Sequence, residues 1–454
     1  MAMESINPAT GELLEVFDEW TPEVTAGVID GVHQAFLVWR NVPFARRSEL
    51  MKKAAEVLRA GKDEYARVMA LEMGKPIGDG RAEVEKCALV CDYYAAHAET
   101  FLADEPAPSD GSRSYVAFRP IGTVLAVMPW NFPFWQVFRF AAPALMAGNT
   151  GVLKHSSNVP RCALAIEDVF RRAGFPDNVF RTLMIGSGKV DAVIEHPHIA
   201  AVTLTGSDIA GRKVAAKAGQ MLKKTVLELG GSDPYIVLAD ADLDEAAKVA
   251  ARARCINSGQ SCIAAKRFIV EEAVFDPFVE RFKKAMAALV VGDPLEEATQ
   301  VGPQAREDLM LELHGQVEAS VAKGATLLLG GAPLARKGYF YPPTILTDVE
   351  PGMPAYHEEF FGPVASVIRV KDAESAINVA NDSPFGLGGS VWTQDVVRGE
   401  ALAGRLEAGA VFVNGLVKSD PRLPFGGVKI SGYGRELAHY GIKEFVNIQT
   451  VWIK

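Results

Sequence analysis

Apolar positions at Met51, Ala54, Ala55 and Leu58 recur at the i, i+3, i+4, i+7 spacing that places side chains on one helical face. The first hundred residues read as helical in this way. Between residues 104 and 111 the pattern breaks into Asp104, Glu105, Pro106, Pro108, Asp110 and Gly111, and an extended run follows at 114–118. This stretch is expected to form an arm outside the compact body. Short apolar runs then recur at 122–128, 151–154, 179–184, 200–205 and 225–229, separated by helix-patterned segments. Strands alternating with helices predict right-handed crossovers and a parallel sheet with ligands at the carboxyl ends of its strands. A second α/β stretch begins near Gly231 and runs to about residue 420, with Phe275, Phe278, Val279, Phe282 and Met286 at helical spacing. The tail is rich in turn residues (Pro424, Gly426, Gly427, Gly432, Gly434) and closes at 445–453 with a strand-like segment that needs a partner.

Composition narrows the function classes. With 454 residues and 49% hydrophobic content the chain can bury sizeable cores, which excludes disorder as its main state. The 47 basic against 56 acidic residues give a formal charge of −9, so the whole-molecule field offers no attraction to nucleic acid or anionic membrane. Five unevenly spaced cysteines do not form a disulfide framework and suit a reducing compartment. No stretch approaches the roughly 18 apolar residues of a membrane span, and residues 1–10 lack a basic start with an apolar run. A soluble cytoplasmic protein is expected.

Several segments carry chemistry. Cys262 ends the small, polar run Asn-Ser-Gly-Gln-Ser-Cys at a break before another expected helix start, where a helix N-terminus would favour a thiolate; a buried structural cysteine is the alternative. Cys87 and Cys91, with His97 nearby, lack a second ligand pair, so no metal site is expected. Glu228, at the end of an apolar strand and before Gly230 and Gly231, would gain basicity from burial, or would pair with a surface cation. In Pro-Trp-Asn-Phe-Pro the prolines brace Asn131, whose amide could donate to an oxyanion. Residues Thr205, Gly206 and Ser207 through Gly211 follow a strand and open a helix, an arrangement that can face an anion but lacks the full G-x-G-x-x-G pattern. Lys154 lies just past another strand and is within reach of the same ligand.

In this order the segments resemble the aldehyde dehydrogenase superfamily over essentially the whole chain. The resemblance rests on Asn131 in Pro-Trp-Asn-Phe-Pro, Glu228 in Leu-Glu-Leu-Gly-Gly, Cys262 in Asn-x-Gly-Gln-x-Cys, Glu359 to Pro363 as Glu-Phe-Phe-Gly-Pro, and residues 424–436. It implies an α/β fold with a Rossmann-type NAD(P) domain (1–100 and 120–230), an α/β catalytic domain (231–423), and a small β oligomerisation arm with the C-terminal segment (101–119 and 424–454). It further implies a homodimer or homotetramer. Cys262 is the implied nucleophile, Asn131 an oxyanion donor and Glu228 the base that activates water against the thioester. Lys154 and Glu359 are implied to contact the cofactor riboses, Trp130 and Phe361 to flank the cofactor, and residues 206–211 to face its pyrophosphate. Relatives that pass the acyl group to coenzyme A do not need Glu228, which favours hydrolysis.

The substrate reading follows the succinate-semialdehyde dehydrogenases of this superfamily. They carry an arginine eight residues beyond the asparagine, here Arg139, while Trp135, Ser261 and Ser419 match other pocket positions. A guanidinium forks onto a carboxylate, although an arginine here could also serve a structural ion pair. One departure stands out: the position six residues before the nucleophile, arginine in several members, is Ile256. Other short ω-carboxylated or aliphatic aldehydes are the alternative substrates. Ser157 stands where NAD-preferring members often carry glutamate, so its hydroxyl and Lys154 point to NADP, with NAD weaker.

Overall fold

The computed structural model describes residues 3–454. Its organising element is a six-stranded sheet with the spatial order Gly432–Tyr433, Lys224–Glu228, Ile199–Thr205, Thr123–Met128, Thr150–His155, Phe180–Thr182. All strands run parallel except Gly432–Tyr433, which pairs antiparallel with the edge strand ending at Glu228. In chain order the five parallel strands lie 5-4-1-2-3, so the direction of winding reverses between Thr123–Met128 and Ile199–Thr205. That reversal opens a crevice at the strands' carboxyl ends, where open α/β sheets bind ligands. The residues emerging there are Pro129–Asn131 on one side and Gly206–Ser207 on the other.

A second sheet of seven strands, centred on Arg267–Glu271 and Pro234–Val237, carries the chain from residue 234 to 413. It is parallel save for the edge strand Thr326–Leu329. The helix Phe275–Ala287 buries Phe275, Phe278, Val279, Phe282 and Met286 against it, the face anticipated from spacing. A third sheet joins Arg113–Pro120 to Val446–Ile453 over eight antiparallel pairs, with Glu105–Pro106 on the other edge.

Helices Pro22–Trp39, Phe44–Ala60, Lys62–Met73 and Ile77–Phe101 pack around the first sheet, and Met51, Ala54, Ala55 and Leu58 are all buried. The helical expectation fails in the opening segment. Met3–Asn7 and Glu12–Phe17 form an antiparallel hairpin instead, turned at a left-handed Gly11 and tied to the body by the Ser5 hydroxyl donating to Glu72 at 2.7 Å. The pairing partner lies within the hairpin itself, which helical periodicity cannot register. Among the described residues no helix is long and apolar enough to cross a membrane.

Candidate active site

A cavity of about 500 Å³ lies in the crevice between the two large sheets, lined among others by Trp130, Asn131, Thr205, Gly206, Cys262 and Glu359. Cys262 sits on a loop between a short turn at Ile256–Gly259 and the strand Arg267–Glu271. The backbone entering that loop is unusual: Asn257, Ser258 and Gly259 have φ values of 52°, 57° and 77° in succession. Left-handed conformations at non-glycine residues persist only where the surroundings over-determine them. Here they do. The Asn257 amide donates to the Asn131 carbonyl at 2.7 Å, and the Ser258 hydroxyl accepts from Gly302 N–H at 2.8 Å. The Gln260 side chain accepts from Ala305 N–H at 2.8 Å. Gly259 lies so close to the Glu-Phe-Phe-Gly-Pro segment that a Cβ there would stand 2.5 Å from the Pro363 nitrogen.

No helix begins at Cys262, so the expectation of a dipole-stabilised thiolate is not met. Burial instead pushes the thiol up to about 12, opposed by Lys266 and Arg139. Lys266, which spacing did not single out, organises the loop from below. Its ammonium donates to the carbonyls of Ser261, Cys262 and Ala264 at 2.9, 2.8 and 3.2 Å and stands 3.4 Å from Glu359.

Asn131 is held from both ends. Its side-chain amide donates to the Gln260 carbonyl at 3.1 Å, and its own carbonyl accepts from Lys75 at 2.9 Å. Lys75 is ion-paired with Glu83, whose other oxygen accepts from Phe134 and Trp135 N–H at 2.9 Å each. A buried carboxylate therefore starts the helix Trp135–Met146 that bears Arg139.

Glu228 ends its strand with both carboxylate oxygens buried and without a hydrogen-bond partner. Gly426 packs against it, where a Cβ would lie 2.8 Å from the Glu228 Oε1. Burial raises this carboxyl well above the usual carboxylate range; Arg139 opposes the shift and Glu436 adds to it. Arg139 itself is buried and committed. It is ion-paired with Glu436, donates to the Gln136 side chain at 2.9 Å and to the Thr205 hydroxyl at 3.3 Å, and lies over the Phe425 ring.

The cofactor-side residues divide. Trp130 and Phe361 meet edge to face at 5.8 Å between ring centroids, and Glu359 accepts from Gly231 N–H at 3.0 Å. The Ser207 hydroxyl caps the helix Asp208–Gln220 by accepting from Ala210 N–H, and the start of that helix opens on the cavity. Gly211 does not line the cavity; it lets the helix pack on Leu229, whose Cδ2 lies 2.6 Å from where a Cβ would stand. Lys154 and Ser157 lie on the neighbouring strand and the turn after it, beyond the cavity lining. Lys154 is buried and its ammonium is pushed down by that burial. A helix N-terminus, two aromatic rings and a carboxylate beside a glycine turn fit a dinucleotide.

Of the residues expected to meet the substrate, Trp135 lines a second cavity of about 760 Å³ together with Phe132, Ile256 and Lys86. Lys86, unmarked in the sequence, donates to the Ser419 hydroxyl at 2.6 Å and lies 4.2 Å from the centre of the Trp135 ring. Ser261 is fully buried. A lysine is most often a solvated surface charge, so nothing in the sequence distinguishes Lys86, Lys75 or Lys266 from that role.

The chain is 54% identical over 453 residues to a Synechocystis protein named probable succinate-semialdehyde dehydrogenase (NADP+), with all of both chains covered. It is 51% identical over 456 residues to succinate-semialdehyde dehydrogenase (NADP+) 1 of Mycobacterium tuberculosis, again with full coverage. The crystal structure of a succinic semialdehyde dehydrogenase from Streptococcus pyogenes in complex with NADP+ superimposes with a TM-score of 0.98 at 38% identity over the whole of both chains. An NAD-dependent aldehyde dehydrogenase from Sinorhizobium meliloti gives a TM-score of 0.97 at 34% identity, covering all of this chain and 91% of that one, so backbone similarity alone does not distinguish the cofactors. The aldehyde dehydrogenase family model matches residues 1–451, and with its Rossmann-ordered sheet and with Cys262 and Asn131 lining one cavity, the chain belongs to the aldehyde dehydrogenase family.

Proposed function

We propose that the protein oxidises succinate semialdehyde to succinate with NADP. The observation that carries the hydrolytic part of this reading is Glu228, a buried carboxylate with no hydrogen-bond partner and a raised pKa at the end of its strand, just before the Leu229 and Gly230 that line the cavity. The Cys262 thiol gives up its proton to water as its sulfur attacks the aldehyde carbon, and a thiohemiacetal forms. The Asn131 amide, braced through Lys75 and Asn257, donates to the oxyanion. Trp130, Phe361, Glu359 and the start of the Asp208–Gln220 helix would hold NADP, which would supply the hydride acceptor. The resulting thioester is attacked by water whose proton Glu228 takes, which releases the acid and the thiolate.

Two features support NADP and the carboxylated aldehyde. Ser157 places no carboxylate where it would repel a 2′-phosphate, and Lys154 adds a cation on the adjoining strand. The relatives at 51–54% identity carry the same two assignments in their names. The test is a panel of aldehydes of graded length, with and without a terminal carboxylate, each against NADP and NAD, followed by the absorbance of reduced nicotinamide. The expected result is the highest kcat/KM for succinate semialdehyde with NADP. Equal rates for butanal would favour the broader reading of short aliphatic aldehydes, and a higher kcat/KM with NAD would overturn the cofactor assignment.

A further inference from the structure

Arg139 is the obvious cation for a substrate carboxylate, yet its charge is balanced by Glu436, and neither residue lines the second cavity. Position 256, the other place where an arginine could stand, is isoleucine. A carboxylate entering the second cavity therefore meets a different cation. Lys86 projects from the helix Ile77–Phe101 into that cavity and is half-buried, with no carboxylate within ion-pair distance among the described residues. The acids nearest it are spent: Glu83 holds Lys75 and two helix amides, and Asp420 is bonded to Arg422 at 2.6 Å. Across the cavity Glu245 lies 3.7 Å from Lys248, and Asp79 accepts from Asn257 N–H at 3.3 Å while burial raises its carboxyl and so weakens its negative charge. Trp135 supports the ammonium from one face, and the Ser419 oxygen accepts its proton at 2.6 Å, which leaves the serine hydroxyl hydrogen free to point at an incoming anion.

We propose that Lys86, seated on Trp135 with Ser419 as second donor, is the cation that binds the distal carboxylate of the aldehyde substrate. The inference rests on the succinate-semialdehyde reading and deepens it: Lys86 selects the carboxylate, while Arg139 positions Glu436 beside Glu228. Desolvation and the neighbouring Arg139 push the Lys86 ammonium down to about 8, with Cys87, Glu83 and Asp420 opposing. Carboxylate selectivity should therefore fade as pH rises through about 8, because the amine loses its charge while the substrate carboxylate keeps its own.

The experiment measures kcat/KM for succinate semialdehyde and for butanal in wild type, Lys86→Met, Lys86→Arg, Ser419→Ala and Arg139→Ala. Methionine preserves the contact with Trp135 while removing the charge. The ratio of the two constants should fall roughly 10- to 100-fold in Lys86→Met, the range for hydrogen bonds to charged groups, and less in Lys86→Arg and Ser419→Ala. In Arg139→Ala both constants should fall together. In wild type the ratio should decline with pH through about 8, and in Lys86→Arg that decline should disappear. A ratio unchanged in Lys86→Met, or one that collapses only in Arg139→Ala, overturns the assignment of Lys86. A wild type that does not prefer succinate semialdehyde over butanal overturns the substrate reading itself.

Discussion

Glu228 combines a carboxyl that lacks a hydrogen-bond partner with a position sealed from solvent, and both lead to measurable outcomes. Because its carboxyl titrates well above the usual range in the folded chain, the folded state holds a proton that the unfolded state has already released. Stability therefore falls as pH rises from the ordinary carboxylate range through the raised value. Glu228→Gln should remove that slope and raise Tm at neutral pH, as read by calorimetry across a pH series. In catalysis the sign reverses, since the base works only when deprotonated. Thioester hydrolysis should accelerate as pH rises through the same raised pKa, and Glu228→Ala should release one burst of reduced cofactor and then stall. Cys262→Ala should abolish the burst as well, and Asn131→Ala should lower kcat by about 10² to 10³. Full steady-state turnover in the Cys262 or Glu228 variant would refute these roles. Ser157→Glu should raise KM for NADP sharply and leave KM for NAD unchanged or lower, by restoring an acidic repulsion next to the 2′-phosphate.

At the scale of elements, the nucleophile loop and the Trp135–Met146 helix are positioned by groups that touch no substrate. Glu83 caps that helix and neutralises Lys75, which in turn grips the Asn131 carbonyl. Glu83→Ala should leave a buried ammonium unpaired and destabilise the protein by about 3 to 5 kcal/mol, visible as a lower denaturant midpoint. A midpoint unchanged within error would mean that Lys75 finds another partner. Gly259→Ala should act differently. Its new Cβ would press on the Gly362–Pro363 backbone, and a displacement of the loop by about 1 Å should cost on the order of 10² in kcat while KM for the cofactor changes less. The motif glycines were visible in the sequence; that Gly259 and Gly362 are each other's neighbours was not, because their contact spans more than a hundred residues.

At the scale of the whole molecule, the three-stranded sheet carries Ile448, Trp452 and Ile453 exposed on its C-terminal strand. An apolar strand left in solvent is a pairing surface, and we expect it to join copies of the chain. Light scattering should give a mass two or four times 48.9 kDa, and Ile448→Asp with Trp452→Asp should shift it to that of one chain. A wild type that scatters as a single chain would refute this role for the arm.

Alternating strand and helix periodicities were enough to place the five parallel strands and the α/β class, because burial of one face imprints a period that survives in one dimension. The cysteine, asparagine and glutamate motifs were legible only as a set, through their resemblance to one family, since each taken alone also allowed a structural reading. The opening hairpin was not legible, nor was the absence of a helix start at Cys262, because each depends on what the segment pairs with or enters. The charges were the least legible of all. Arg139 reads either as a substrate cation or as half of a structural ion pair until Glu436, almost three hundred residues away, is seen to pair with it, and Lys86 reads as a solvated surface lysine until Trp135 and Ser419 are seen beside it. A side chain's charge is written in the sequence, but its partner and its dielectric surroundings exist only once distant segments meet, and those two quantities decide what the charge does.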